Sequence, residues 1–124
     1  MTDILVIEDN EDNMDLVFAF LEDQYNLKSC FDGYQALALF EDESSYVPDL
    51  ILCDISLPGM DGVELIKFIR NHKPWSKVPV VALTSHAMKG DKEKFLAAGF
   101  DDYISKPIMD EQMLSEPINS LLKR

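Results

Sequence analysis

Short apolar runs alternate with amphipathic stretches along this chain of 124 residues, and few architectures accommodate that rhythm. The runs lie at Ile4–Ile7, Leu50–Cys53 and Val80–Leu83, with weaker ones at Leu27–Cys30 and Tyr103–Ile104. Runs of about four residues rich in Val, Ile and Leu suit strands covered on both faces. Between them, Met14, Val17, Phe18 and Leu21 recur at helical spacing, as do Val63, Ile66 and Ile69, with Leu65 and Phe68 widening the second stripe. Leu37 and Phe40 mark a helix after Gly33, Phe95 and Leu96 one that Gly99 ends, and Met113, Leu114, Ile118, Leu121 and Leu122 a last one. Five strands alternating with five helices predict an α/β fold: a doubly wound (βα)5 domain on a five-stranded parallel sheet, order 2-1-3-4-5. The length suits one domain over 1–124. No repeat or linker interrupts it, and no effector domain is expected after the last helix.

Pro117 conflicts with its surroundings. Inside a helix it removes a backbone donor and clashes with the preceding turn, at ~3 kcal/mol. The sequence leaves open a kinked last helix or one that starts late, with Pro117 near its first turn.

The formal charge of −12 argues against binding nucleic acid or an anionic membrane by bulk electrostatics. Residues 1–60 hold 14 acids and a single base, Lys28, so either a solvated acidic face or carboxylates converging on a cation is implied. Cys30 and Cys53 sit in apolar runs and read as buried reduced thiols. No secretory leader is visible, and no apolar run approaches the ~20 residues that span a bilayer. A cytoplasmic protein without membrane insertion is expected.

In an open α/β sheet, ligands bind beyond the carboxyl ends of the strands. Here the first strand ends in Glu8-Asp9, the third in Asp54, the fourth in Thr84-Ser85 and the fifth in Ser105-Lys106-Pro107. Three carboxylates, a hydroxyl pair and an ammonium therefore meet on one rim. The acids would repel one another without a cation, and a hard divalent ion such as Mg²⁺ suits carboxylate, carbonyl and water oxygens. Lys106 adds a point charge and Thr84 a hydroxyl for a phosphoryl oxygen. A carboxylate so equipped is a phosphoryl acceptor, with charge neutralised around it.

Ile4–Asn10 (ILVIEDN), Pro48–Gly62 (PDLILCDISLPGMDG), Val78–Ser85 (VPVVALTS) and Gly99–Ile108 (GFDDYISKPI) together resemble the receiver domain of two-component response regulators, in its stand-alone, chemotaxis-regulator-like form. The resemblance covers essentially the whole chain and implies a flavodoxin-like receiver fold. It implies that Asp54 is the phosphoacceptor. Glu8 and Asp9 become the acidic pair that holds Mg²⁺ (Mn²⁺ able to substitute), Asp9 preferred as direct ligand, with Asp54 and the Ser56 backbone carbonyl completing the set. Thr84 and Lys106 become the switch hydroxyl and the phosphoryl-binding lysine, Pro107 follows a cis peptide bond that aims the lysine inward, and Tyr103 is the aromatic switch. Ser56 and His86 occupy positions that tune phosphoryl lifetime. Neither His86 nor His72 is read as a phosphohistidine, and Trp75 reads as a loop anchor.

A resembling domain accepts its phosphoryl group from a histidine kinase or a histidine phosphotransfer protein docked on the first helix. It answers through a downstream protein that binds the face made by the fourth helix, fifth strand and fifth helix. It is a signalling protein that catalyses only its own phosphorylation and dephosphorylation. An aspartate phosphatase of the haloacid dehalogenase type would need an Asp-x-Asp-x-Thr/Val motif after the first strand, where Glu8-Asp9-Asn10-Glu11 stands. A flavin module would need a Gly- and hydroxyl-rich phosphate loop there. A receiver reduced to a binding piece would not keep Asp9, Asp54, Thr84 and Lys106.

Overall fold

The computed structural model describes residues 2–41, 46–85, 88 and 90–123. Its elements follow in the order β1 (Asp3–Ile7), α1 (Glu11–Leu21), β2 (Asn26–Cys30), α2 (Gly33–Glu41), β3 (Leu50–Asp54), α3 (Gly62–Asn71), a 3-10 turn at Trp75–Lys77, β4 (Val80–Thr84), α4 (Asp91–Ala98), β5 (Asp102–Ser105) and α5 (Glu111–Leu122). The strands form one parallel sheet in the order β2-β1-β3-β4-β5, as the alternation predicts.

Strand side chains alternate between the two faces, so each strand feeds two cores. Ile4, Val6, Leu50, Leu52, Val81, Leu83 and Ile104 pack under α1 and α5, against Met14, Val17, Leu21, Leu114 and Ile118. Leu5, Ile7, Ile51, Cys53, Val80 and Ala82 face the other way, against Leu65, Ile66 and Ile69 of α3 and Phe95 of α4. β3 and β4 are buried at every residue, whereas β2, at the sheet edge, buries only Cys30 fully. That is why the central runs are continuous in the sequence and the edge runs weak.

Asx caps end the loops that follow three strands. Asn10, Asp61 and Asp110 accept the backbone N–H of Asn13, Glu64 and Met113 at the starts of α1, α3 and α5. Each cap satisfies a donor that the first helical turn would leave orphaned.

The structure decides between the two alternatives open for the last helix and corrects one expectation. α5 begins at Glu111 behind its Asp110 cap and continues through Pro117, so it does not start late. Phe68 does not widen the buried stripe of α3. It is 42% exposed on the outer face, because Leu65, Ile66 and Ile69 already fill the contact with the sheet. Trp75 is an anchor as expected, buried in the 3-10 turn with its Nε1–H donating to the Tyr46 carbonyl at 3.0 Å. Cys30 and Cys53 are free and buried, on either side of Ile7 in the strand register.

Candidate functional site

The carboxyl ends of β1, β3, β4 and β5 deliver Glu8, Asp54, Thr84 and Lys106 to one rim of the sheet. Glu8, Asp54 and Thr84 are the buried polar residues of the described chain. Oxygens of Glu8, Asp9 and Asp54 all lie within 4.8 Å of one another, with Asp9 exposed at the mouth. Lys106 bridges the group: its Nζ stands 2.5 Å from Glu8 Oε1 and 3.2 Å from Asp54 Oδ2.

Backbone geometry fixes these side chains. The Ser56 N–H donates to Asp54 Oδ1 at 3.0 Å, and the Asn10 N–H donates to Glu8 Oε2 at 3.2 Å. The Lys106 N–H donates to the Thr84 carbonyl at 2.7 Å, extending the β4–β5 pairing by one step, and the Lys106–Pro107 bond is cis. Thr84 lies buried at the end of β4, one residue past the Asp54–Leu83 register pair. Gly62 permits the closest approach: its N–H donates to the Ile55 carbonyl at 2.8 Å, and a Cβ there would stand 2.6 Å from the Asp54 carbonyl oxygen.

Burial pushes the Glu8 carboxyl up to about 7, against the opposing pull of Lys106. Burial acts in the same sense on Asp54, but hydrogen bonds from Glu8 and the Ser56 N–H, together with the Lys106 charge, outweigh it and hold Asp54 below the usual carboxylate range. Burial disfavours the Lys106 ammonium, and the two carboxylates more than offset this and raise its pKa. An acid dyad whose members are pushed apart, with a fixed ammonium beside it, leaves an ionised Asp54 at the centre. The donor set is entirely carboxylate oxygen, which suits a hard cation such as Mg²⁺ rather than a soft one.

Of the other sequence candidates, Ser56 is exposed beside Asp54, and Tyr103 is half-buried with its ring 6.1 Å from that of Phe95. His86 lies outside the described residues. The contact of Glu8 with Lys106 was not legible in the sequence, and neither was the close seat of Gly62, although the Asp61-Gly62 pair before a helical pattern is a turn signal.

A five-stranded doubly wound sheet with an acidic, lysine-bridged pocket at its carboxyl edge defines a class of α/β domain that seats its ligand beyond the strand ends. Residues 4–117 match the response regulator receiver domain, and the chain belongs to that family. It is 39% identical over 112 residues to the signal transduction histidine-protein kinase BarA of Escherichia coli K12, covering 89% of this chain but only 12% of the kinase. The chain thus spans about an eighth of that relative. With the polar-differentiation response regulator DivK of Brucella ovis it shares 38% identity over 120 residues, 96% of this chain and 94% of that one. The receiver domain of the sensor histidine kinase PA1611 from Pseudomonas aeruginosa superposes with a TM-score of 0.87 at 33% identity, over 99% of this chain and 98% of that one, and holds a magnesium ion in its active-site cleft. The chain is therefore a receiver domain of two-component signalling, a class that pairs with histidine kinases. Among the described residues, no helix is long and apolar enough to cross a membrane.

Proposed function

We propose that Asp54 accepts a phosphoryl group from a partner phosphohistidine and that the chain works as a phosphorylation switch. The observation that carries this reading is the Lys106 ammonium 3.2 Å from Asp54 Oδ2, inside a cluster of three carboxylates. An Asp54 oxygen forms the new bond to phosphorus as the N–P bond to the donor imidazole breaks, and the imidazole leaves with a proton. The Ser56 N–H and Lys106 hold the Asp54 carboxylate in place for in-line attack. Lys106 and the Thr84 hydroxyl are the groups that receive the transferred oxygens. Asp9, Asp54 and the Ser56 carbonyl would hold Mg²⁺, or Mn²⁺ in its place, with Glu8 beside them; bound there, the ion supplies neutralisation of phosphoryl charge.

The switch follows from the same contacts. Added charge on Asp54 favours a state in which Thr84 and Lys106 close on the phosphoryl group, and the space that Thr84 leaves lets Tyr103 turn inward, repacking the α4–β5–α5 side, where a downstream protein docks. Ser56 and His86 set how long the group survives. The first helix serves as the donor's docking face, and the cytoplasm as the place of work.

The test is an intact mass after incubation with Mg²⁺ and phosphoramidate or acetyl phosphate. One phosphoryl adduct is expected, absent from Asp54→Asn. Sustained turnover of phosphomonoesters, or an adduct that persists in Asp54→Asn, would overturn the reading.

A further inference from the structure

Two dipeptides of the same make, a glycine followed by a large side chain, meet beside the pocket. Gly33-Tyr34 opens α2, and Gly59-Met60 lies in the connection that leads from Asp54 to α3. They interlock. A Cβ on Gly59 would stand 2.8 Å from Tyr34 Cε2, and a Cβ on Gly33 would stand 3.2 Å from Met60 Sδ. Each glycine leaves the space that the large residue of the other pair fills. Gly59 also has φ +77°, a backbone region that favours glycine. Met60 is buried and Tyr34 is 57% exposed, so the tyrosine closes the connection from the solvent side. The start of α2 is a fixed platform for that ring. The Asp32 side chain accepts the Gln35 N–H at 2.8 Å, and the Gln35 side chain accepts the Phe31 N–H at 2.8 Å, the reciprocal bonding of a capping box. The base of the connection is closed by the Gly62 N–H on the Ile55 carbonyl at 2.8 Å. Ser56 lies between base and tip. Its N–H is fixed by Asp54 Oδ1 at 3.0 Å, but its carbonyl belongs to the next peptide unit, on the Gly59 side.

We propose that Tyr34 is a positioning residue for the divalent-cation site: seated on Gly59, it holds the β3–α3 connection so that the Ser56 carbonyl is in place before an ion arrives. The inference rests on the proposed function above, where that carbonyl is a metal ligand. A backbone carbonyl has no side-chain torsions of its own, so the path of the chain from Asp54 to Gly59 alone aims it. A backbone fixed in advance loses no further freedom when the ion binds, and the affinity is higher by that amount. With the ring removed, the tip keeps Met60 in its seat against Gly33 but loses its outer wall, and Ser56 must be ordered by the ion itself.

The experiment follows the Ser56 amide by ¹⁵N–¹H NMR while unphosphorylated protein is titrated with Mg²⁺. Tyr34→Ala should weaken binding about fivefold, and Tyr34→Phe, which keeps the ring, should stay within about twofold of the wild type. In the wild type a nuclear Overhauser effect between the Tyr34 ring and the Gly59 α-protons is expected with and without Mg²⁺, a measurement that needs no variant to fold. Unchanged affinity in Tyr34→Ala beside a lower urea midpoint would reduce the tyrosine to a structural role and overturn the proposal. Equal weakening by Tyr34→Phe, absence of the wild-type effect, or a Ser56 amide that Mg²⁺ leaves unmoved would each overturn it as well. If no phosphoryl adduct forms in the mass assay while Tyr34→Ala weakens Mg²⁺ binding, the phosphoacceptor reading fails and the role of Tyr34 stands. An adduct together with unchanged affinity in Tyr34→Ala removes the role of Tyr34 alone.

Discussion

Gly62 stands so close to β3 that a Cβ on it would meet the Asp54 carbonyl oxygen at 2.6 Å and the Ile55 Cα at 2.9 Å. Both obstacles are backbone, so neither can swing aside. Gly62→Ala should cost about 1–3 kcal/mol through forced displacement of the β3–α3 connection, read from urea unfolding, and should slow phosphorylation of Asp54. Gly33→Ala is the control: its nearest obstacle is the flexible Met60 side chain at 3.2 Å, and its effect should stay within about 1 kcal/mol. Equal losses for the two variants would refute the steric account.

Divalent metal should stabilise the fold by mass action. At Mg²⁺ a hundredfold above its Kd the gain is about 2.7 kcal/mol, visible as a higher urea midpoint. Asp9→Asn and Asp54→Asn should each remove most of it, since they delete carboxylates of the 4.8 Å cluster. An undiminished gain in Asp9→Asn would place the metal elsewhere.

Stability should also depend on pH through Glu8. Its carboxyl is raised to about 7 from an ordinary 4.5, so the native state binds the proton more tightly than the unfolded chain. That contribution is fully present below pH 4.5 and is lost as pH rises through about 7. Asp54 has the opposite sign, since its lowered pKa gives stability that is present above its ordinary range and is lost on further acidification. In EDTA, Glu8→Gln should therefore gain on the wild type between pH 5 and 8, by on the order of 2 kcal/mol. A pH-independent difference would show that Glu8 titrates normally.

Arg70 ties three segments together. Its guanidinium donates to the carbonyls of Val78 (2.7 Å) and Gly99 (3.0 and 2.8 Å) and pairs with Asp101 Oδ2 at 2.8 Å, which also accepts the Val80 N–H. Lysine cannot reproduce that fork. Arg70→Lys should cost about 2 kcal/mol. Combined with Asp101→Asn the loss should be less than additive, because the two residues share one network. Strict additivity in a double-mutant cycle would dissolve it.

The sequence disclosed the sheet because each strand is a separate apolar run, and it disclosed the order of the site because Glu8, Asp54, Thr84 and Lys106 each follow one of those runs. Periodicity reports which residues recur, not how much room the facing layer has, so it places Phe68 in the stripe although Leu65, Ile66 and Ile69 fill the contact and leave Phe68 exposed. The pairing of Glu8 with Lys106 spans 98 positions and depends on two side-chain lengths meeting across two strands. No local pattern encodes it. Pro117 was legible as a conflict, but helix propensity alone could not show that the Asp110 cap starts α5 ahead of it.

β5 sits at the margin of the sheet, bonded to β4 alone. Edge elements peel away at lower free energy than central ones. Were β5 to detach, the lysine would leave while Glu8, Asp9 and Asp54 stayed in the body of the domain. If Asp54 is the phosphoacceptor proposed above, such a loosened form would still attract a divalent ion yet could not grip a group carried there, and the lifetime of the signal would be tied to how firmly one outermost strand is stitched down.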